Sequence, residues 1–125
     1  MEIKRRRSDI LFSTYIRQKA NWRCEFCNRL CRTSDGEILF KLEASHYFSR
    51  KNESVRFDPY NVHALCFLCH QRMGGHGNKE YDTWMEEKLG TNDYNKLLLR
   101  AHTYKKRDDF LDVEYVKKLL EEEAQ

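Results

Sequence analysis

No stretch of this sequence stays apolar for the roughly 18 residues that a membrane-crossing helix needs, so no membrane partner is expected. Internal repeats, low-complexity tracts and linkers are missing too, and nothing divides the 125 residues into separate units. A strong net charge is also lacking, at a formal +3. The opening MEIKRRRSDILF is basic and then briefly apolar, but Arg17, Gln18 and Lys19 interrupt the apolar part. A secretory leader is therefore not expected, and the expected setting is cytoplasmic and reducing. In that setting the five cysteines point to metal or thiol chemistry rather than disulfides.

What is present suits one soluble globular domain spanning residues 1–125: hydrophobic residues are 40% and charged residues 34% of the chain. The charge is unevenly spread. Residues 1–60 carry 13 Lys and Arg against 8 Asp and Glu, and residues 61–125 carry 10 against 12. A basic first half suits an anionic partner such as nucleic acid, although an ordinary solvated surface gives the same count.

SDILFSTYIRQKANW reads as a helix capped by Ser8, with Ile10, Leu11 and Tyr15 at helical spacing. The runs Ile38–Leu42 and Ser45–Phe48 read as short strands. SRKNESVRFDP is a polar loop, and NVHAL is extended. A short helix should start near Cys66 and stop at Gly74 and Gly75. Three more helices follow: KEYDTWMEEKLG, TNDYNKLLLRAHT capped by Thr91, and DDFLDVEYVKKLLEEEAQ. The expected organisation is a core at about residues 20–76 and a helical extension at about residues 79–125.

Cys24 and Cys27 in WRCEFCNRLC, and Cys66 and Cys69 in NVHALCFLCH, form two CxxC pairs. Two thiolates from one tight turn can point at one ion at about 2.3 Å, and two such turns complete a tetrahedral shell. Four cysteines on one Zn²⁺ make a closed, structural site. Cys31 is the odd one out and reads as a free thiol. His70 and Asn61 then need another explanation.

The order from the first CxxC pair runs through His46 in LEASHYFSRK and Asn61 to the second pair, followed at once by His70. This order, with nine residues from Asn61 to His70, resembles the HNH nuclease family over about residues 24–70. The flanks SHYFSRKNESVRFDPYNVHALCFLC, then GN, then EYDTWMEEKLG, are similar to the phage recombination proteins of the NinG (Rap) family, over about residues 20–120. The resemblance implies an α+β fold: a small zinc-stabilised ββα-metal core with an N-terminal helix and additional C-terminal helices. It also implies a metal-dependent DNA endonuclease, phage-encoded and acting in a bacterial cytoplasm, with branched recombination DNA among its substrates. Oligomeric state stays open, a dimer included.

Phosphodiester hydrolysis needs an activated water, charge neutralisation at the phosphate and stabilisation of the leaving oxygen. A neutral imidazole can take the water's proton, which makes His46 the expected general base. Asn61 would hold that imidazole, or its loop, by hydrogen bonds. His70 resembles the family's helix residue that binds one divalent ion, here Mg²⁺ or Mn²⁺, with Ni²⁺ as a softer substitute; His76 is a candidate second ligand. Arg50, Lys51 and Arg56 flank this loop and are expected to grip phosphates, with Lys4–Arg7 as a further contact. His63 should face away from the core, and His102 reads as surface. One departure stands out: the wider family often has Asp immediately before the base, and here that residue is Ser45. The alternative reading is a non-catalytic zinc module that binds DNA or a recombination partner. A third, a protein–protein adaptor, would rest on the acidic end EEEAQ.

Overall fold

The computed structural model describes residues 4–124. Five helices surround one two-stranded hairpin in an α+β arrangement: α1 (Arg7–Lys19), β1 (Leu42–His46), β2 (Val62–Cys66), α2 (Phe67–Met73), α3 (Lys79–Leu89), α4 (Thr91–Ala101) and α5 (Asp109–Glu123). β1 and β2 pair antiparallel, with Glu43 opposite Leu65 and Ser45 opposite His63. Because α2 follows β2 directly, these three elements have the order of a ββα-metal or zinc-finger motif.

The hairpin is covered on both faces, and every residue of β2 is buried. On one face Ser45 meets Tyr81 and His63 meets Trp84, both from α3. His63 therefore points into the interior, not away from it as expected. The alternation that suggested otherwise holds only for a sheet with one wet face. α1 packs on the hairpin and along α5, burying Phe12, Tyr15 and Ile16. α5 seats Val113 and Val116. Truncating a core residue as buried as Val116 or Met85 typically costs about 2–5 kcal/mol where a large side chain is lost.

Local details depart from the sequence reading in three places. Strand β1 begins at Leu42, and Ile38 makes only an isolated bridge to Arg32. β-propensity did not decide the strand; a pairing partner did. Ser8 lies inside α1, where its hydroxyl donates to Asp109, and Asp9 instead accepts from the Arg6 N–H at the helix start. Gly90 joins α3 to α4 at a φ of 82°, a conformation that L side chains rarely adopt, so Thr91 does not cap α4.

Candidate metal centre and adjoining groove

The first CxxC pair lies on a tight turn closed by Asn28, whose φ is 65° and whose N–H donates to the Cys24 carbonyl. Glu25 fastens this turn to the hairpin. Its N–H donates to the Ala64 carbonyl at 2.8 Å, and its carboxylate accepts from the Ala64 N–H at 2.6 Å. Cys66 ends β2, and Cys69 sits one turn later in α2. The ligand atoms of Cys24, Cys27, Cys66 and Cys69 all lie within 4.8 Å of one another, forming a metal-binding cluster that bridges hairpin and helix. Burial raises the Cys24 thiol, but N–H groups of Cys27, Cys66 and Phe26 outweigh it and bring the thiol down to about 7. That favours the thiolate at Cys24, whereas burial raises Cys27 and Cys69, whose protons a bound metal would have to displace. Cys31 stays outside the cluster, buried with its Sγ near the Arg29 carbonyl.

Beside this cluster a groove of about 490 Å³ runs between α1 and β1. Its α1 wall is Asp9, Ser13 and Arg17, with Arg5 from the segment just before the helix. Its floor is Leu42, Ala44 and His46 of β1, with Glu43, Arg50 and His70 at its rims.

His46 is half-buried, and its Nε2 lies 3.0 Å from the carbonyl oxygen of Arg56. A carbonyl only accepts, so Nε2 carries the proton and Nδ1 holds the free lone pair. Burial pushes the imidazole down to about 4 against the pull of that carbonyl, with Arg50 adding to the depression. His46 is therefore neutral near pH 7.

Asn61 is fully buried, and its side chain makes no hydrogen bond to His46. Its Oδ1 accepts from the Phe48 N–H, and its Nδ2 donates to the carbonyls of Phe48 and Val55. It closes the loop that carries the Arg56 carbonyl and so acts on His46 at one remove.

Arg56 is not a phosphate contact. It is 1% exposed, and its guanidinium grips both carboxylate oxygens of Asp9, at 2.9 Å and 2.5 Å, with further bonds to Glu53 and to the carbonyls of Lys4 and Arg50. Burial would raise Asp9, but the guanidinium and the Arg6 N–H more than offset it and hold the carboxyl below its ordinary value. The cations that do line the groove are Arg5, Arg17, Lys41 and Arg50. Lys51 lies in the adjoining cleft.

Ser45 is fully buried, with its Oγ 2.8 Å from the Tyr81 hydroxyl on the face away from the groove. The carboxylate beside His70 is that of Glu43, a residue the sequence reading did not single out. Its Oε1 lies 3.3 Å from His70 Nδ1, and its Oε2 lies 3.6 Å from Lys41 Nζ. Among the described residues, only the four cysteines bring three or more metal-ligating side chains together; Glu43 and His70 remain a pair. His76 is exposed and tilts over the Phe48 ring at 4.5 Å, in the adjoining cleft. His102 is exposed at the end of α4.

No protein-family model, curated protein or solved structure matches this chain.

Proposed function

We propose that the groove binds DNA and hydrolyses its phosphodiester bonds, with one zinc ion on the four cysteines holding the scaffold. The observation that carries this reading is the state of His46: neutral, fixed in one tautomer, with a free Nδ1 in a groove lined by guanidinium groups. A neutral ring takes the proton of an attacking water without first losing one of its own, while the burial that keeps it neutral makes it a weaker base than a free imidazole. Arg5, Arg17 and Arg50 bind the flanking phosphates as paired-charge donors.

Glu43 and His70 are the groups suited to a divalent ion such as Mg²⁺ or Mn²⁺. When bound, that ion neutralises charge on the phosphate and on the leaving oxygen. Two protein ligands leave most of its shell to water and substrate, which is how Mg²⁺ is commonly held. The competing reading, a zinc module that binds DNA without cutting it, draws on the missing acid at position 45; the Glu43 carboxylate beside His70 supports the hydrolytic reading instead.

A plasmid-nicking assay with Mg²⁺ or Mn²⁺ tests the proposal. His46→Ala should lower the rate by about 10²–10⁴-fold while zinc content stays unchanged. Equal rates for variant and wild type would remove His46 as the base. Forked and four-way DNA belong in the same assay, because the NinG-like resemblance is the reason to expect branched substrates.

A further inference from the structure

Three clefts adjoin in series. The groove at His46 shares His46 and Ser49 with a second cleft of about 790 Å³, between the Tyr47–Ser54 segment, the Gly74–His76 turn and the end of α4. The second shares Ser54 and Tyr104 with a third of about 890 Å³, between residues 54–60 and the connection from α4 to α5. The third lies outside everything the hydrolysis uses, and it joins the groove by way of the second cleft.

Its chemistry is distinctive. The acidic groups at its edge are engaged: Asp58 pairs with Arg100 at 2.6 Å, Asp112 pairs with Arg107 at 3.2 Å, and Asp108 caps α5 through the Leu111 N–H. Lys105 and Lys106 are exposed, and neither makes an ion pair among the described residues. Three tyrosines line the same cleft. Tyr104 is 86% exposed, and Tyr60 and Tyr115 are about 40% exposed, at 41% and 42%. Arg100 covers one face of Tyr60 at 5.5 Å. Solvated cations interleaved with exposed or partly exposed rings are the pairing that single strands use, because every unstacked base has a π-face and every nucleotide a phosphate. Paired bases already have their faces covered by neighbours, so a duplex would leave these rings unused.

We propose that the third cleft takes an unpaired DNA segment continuing from the strand in the groove, with its bases on Tyr60, Tyr104 and Tyr115 and its phosphates on Lys105 and Lys106. The proposal rests on the DNA reading of the groove, but its test does not depend on cleavage. Binding by fluorescence anisotropy is compared for a blunt duplex, the same duplex with a six-nucleotide unpaired tail carrying 2-aminopurine, and the same duplex extended by six base pairs. The proteins are wild type, Tyr104→Ala, Lys105→Ala/Lys106→Ala and His46→Ala.

Wild type should bind the tailed DNA tightest and quench the 2-aminopurine. Tyr104→Ala should weaken tailed binding by about 5- to 150-fold, the range for losing one stacked base, and leave blunt binding unchanged. The double lysine variant should lower the salt slope of tailed binding by about 1.4, at roughly 0.7 per single-strand phosphate contact. His46→Ala should keep the tail preference. Equal gain from the tail and the paired extension, or a Tyr104→Ala protein indistinguishable from wild type, overturns the proposal. A tail preference without any cleavage leaves this site standing and removes the nuclease reading instead.

Discussion

The carbonyl oxygen of Arg56 lies 3.0 Å from Nε2 of His46, while the guanidinium of the same residue is sealed on Asp9 of α1. One residue thus sets the tautomer of the imidazole with its backbone and docks the first helix with its side chain. The wall and the floor of the groove are registered to each other through it.

Arg56→Ala should therefore act on stability. It leaves Asp9 buried and uncompensated, which costs about 3–5 kcal/mol. Arg50→Ala should leave stability alone and flatten the salt dependence of DNA binding by about one unit. Urea unfolding and a salt titration of affinity separate the two. Should Arg56→Ala unfold at the wild-type midpoint, the ion pair is not what docks α1.

Positions 43 and 45 make opposite predictions. Glu43→Gln should raise the Mg²⁺ or Mn²⁺ concentration needed for half-maximal cleavage by at least about 10-fold, since losing even a carboxylate that only supports a metal ligand costs about 10–100-fold in affinity. Ser45→Asp should bring no gain in metal use. It would bury a carboxylate against Tyr81, at a cost of at least about 1–3 kcal/mol. Metal titrations of the two variants beside wild type decide this, and improved Mg²⁺ use by Ser45→Asp would show that position 45 reaches the groove.

The cysteine cluster predicts one tightly held zinc per chain. Cys66→Ser should lose it along with most of the folding energy, since such sites contribute about 10 kcal/mol or more in small zinc modules. Cys31→Ser should keep its metal. Elemental analysis combined with circular dichroism tests both; a folded, metal-free Cys66→Ser protein counts against a structural role.

Acid should destabilise the protein earlier than carboxylate titration alone would. His46 is held down to about 4 and His63 to about 3, the latter by burial, with Lys88 and Lys19 contributing. Unfolded histidine titrates near 6.5. Between these values the unfolded chain binds more protons than the folded one, so stability is full above about pH 6.5 and falls as the pH drops toward 4. His63 Nδ1 is buried without a partner. His63→Leu removes that group, and it should shrink the stability difference between pH 7.5 and pH 4.5 measured by urea unfolding. An unchanged difference would place the acid sensitivity elsewhere.

The features legible in the sequence were those whose partners are close along the chain. The two knuckles could be read because each CxxC supplies its pair from one turn, and the helix stops at Gly74 and Gly90 because punctuation is local. What stayed hidden depended on distant partners. Arg56 looks like any loop arginine until Asp9, 47 residues earlier, is seen to take its guanidinium. His63 needed α3 on the second face of the hairpin. Glu43 needed the strand register and the start of α2 together, and position 45 drew attention only because a pattern in other proteins marks it.

Asp9, Ser13 and Arg17 of the groove wall are carried by α1, and the element braced along that helix is α5, with Ser8 bonded to Asp109. This arrangement governs timing. During synthesis the hairpin and both knuckles emerge, and can load metal, well before α5 exists. At about 5–20 residues per second, several seconds separate the second knuckle from the helix that steadies the groove wall. A chain halted before Asp109 would carry all four cysteines and the cations of the groove but lack the helix that braces α1, so the groove wall is fixed later than the cysteine cluster.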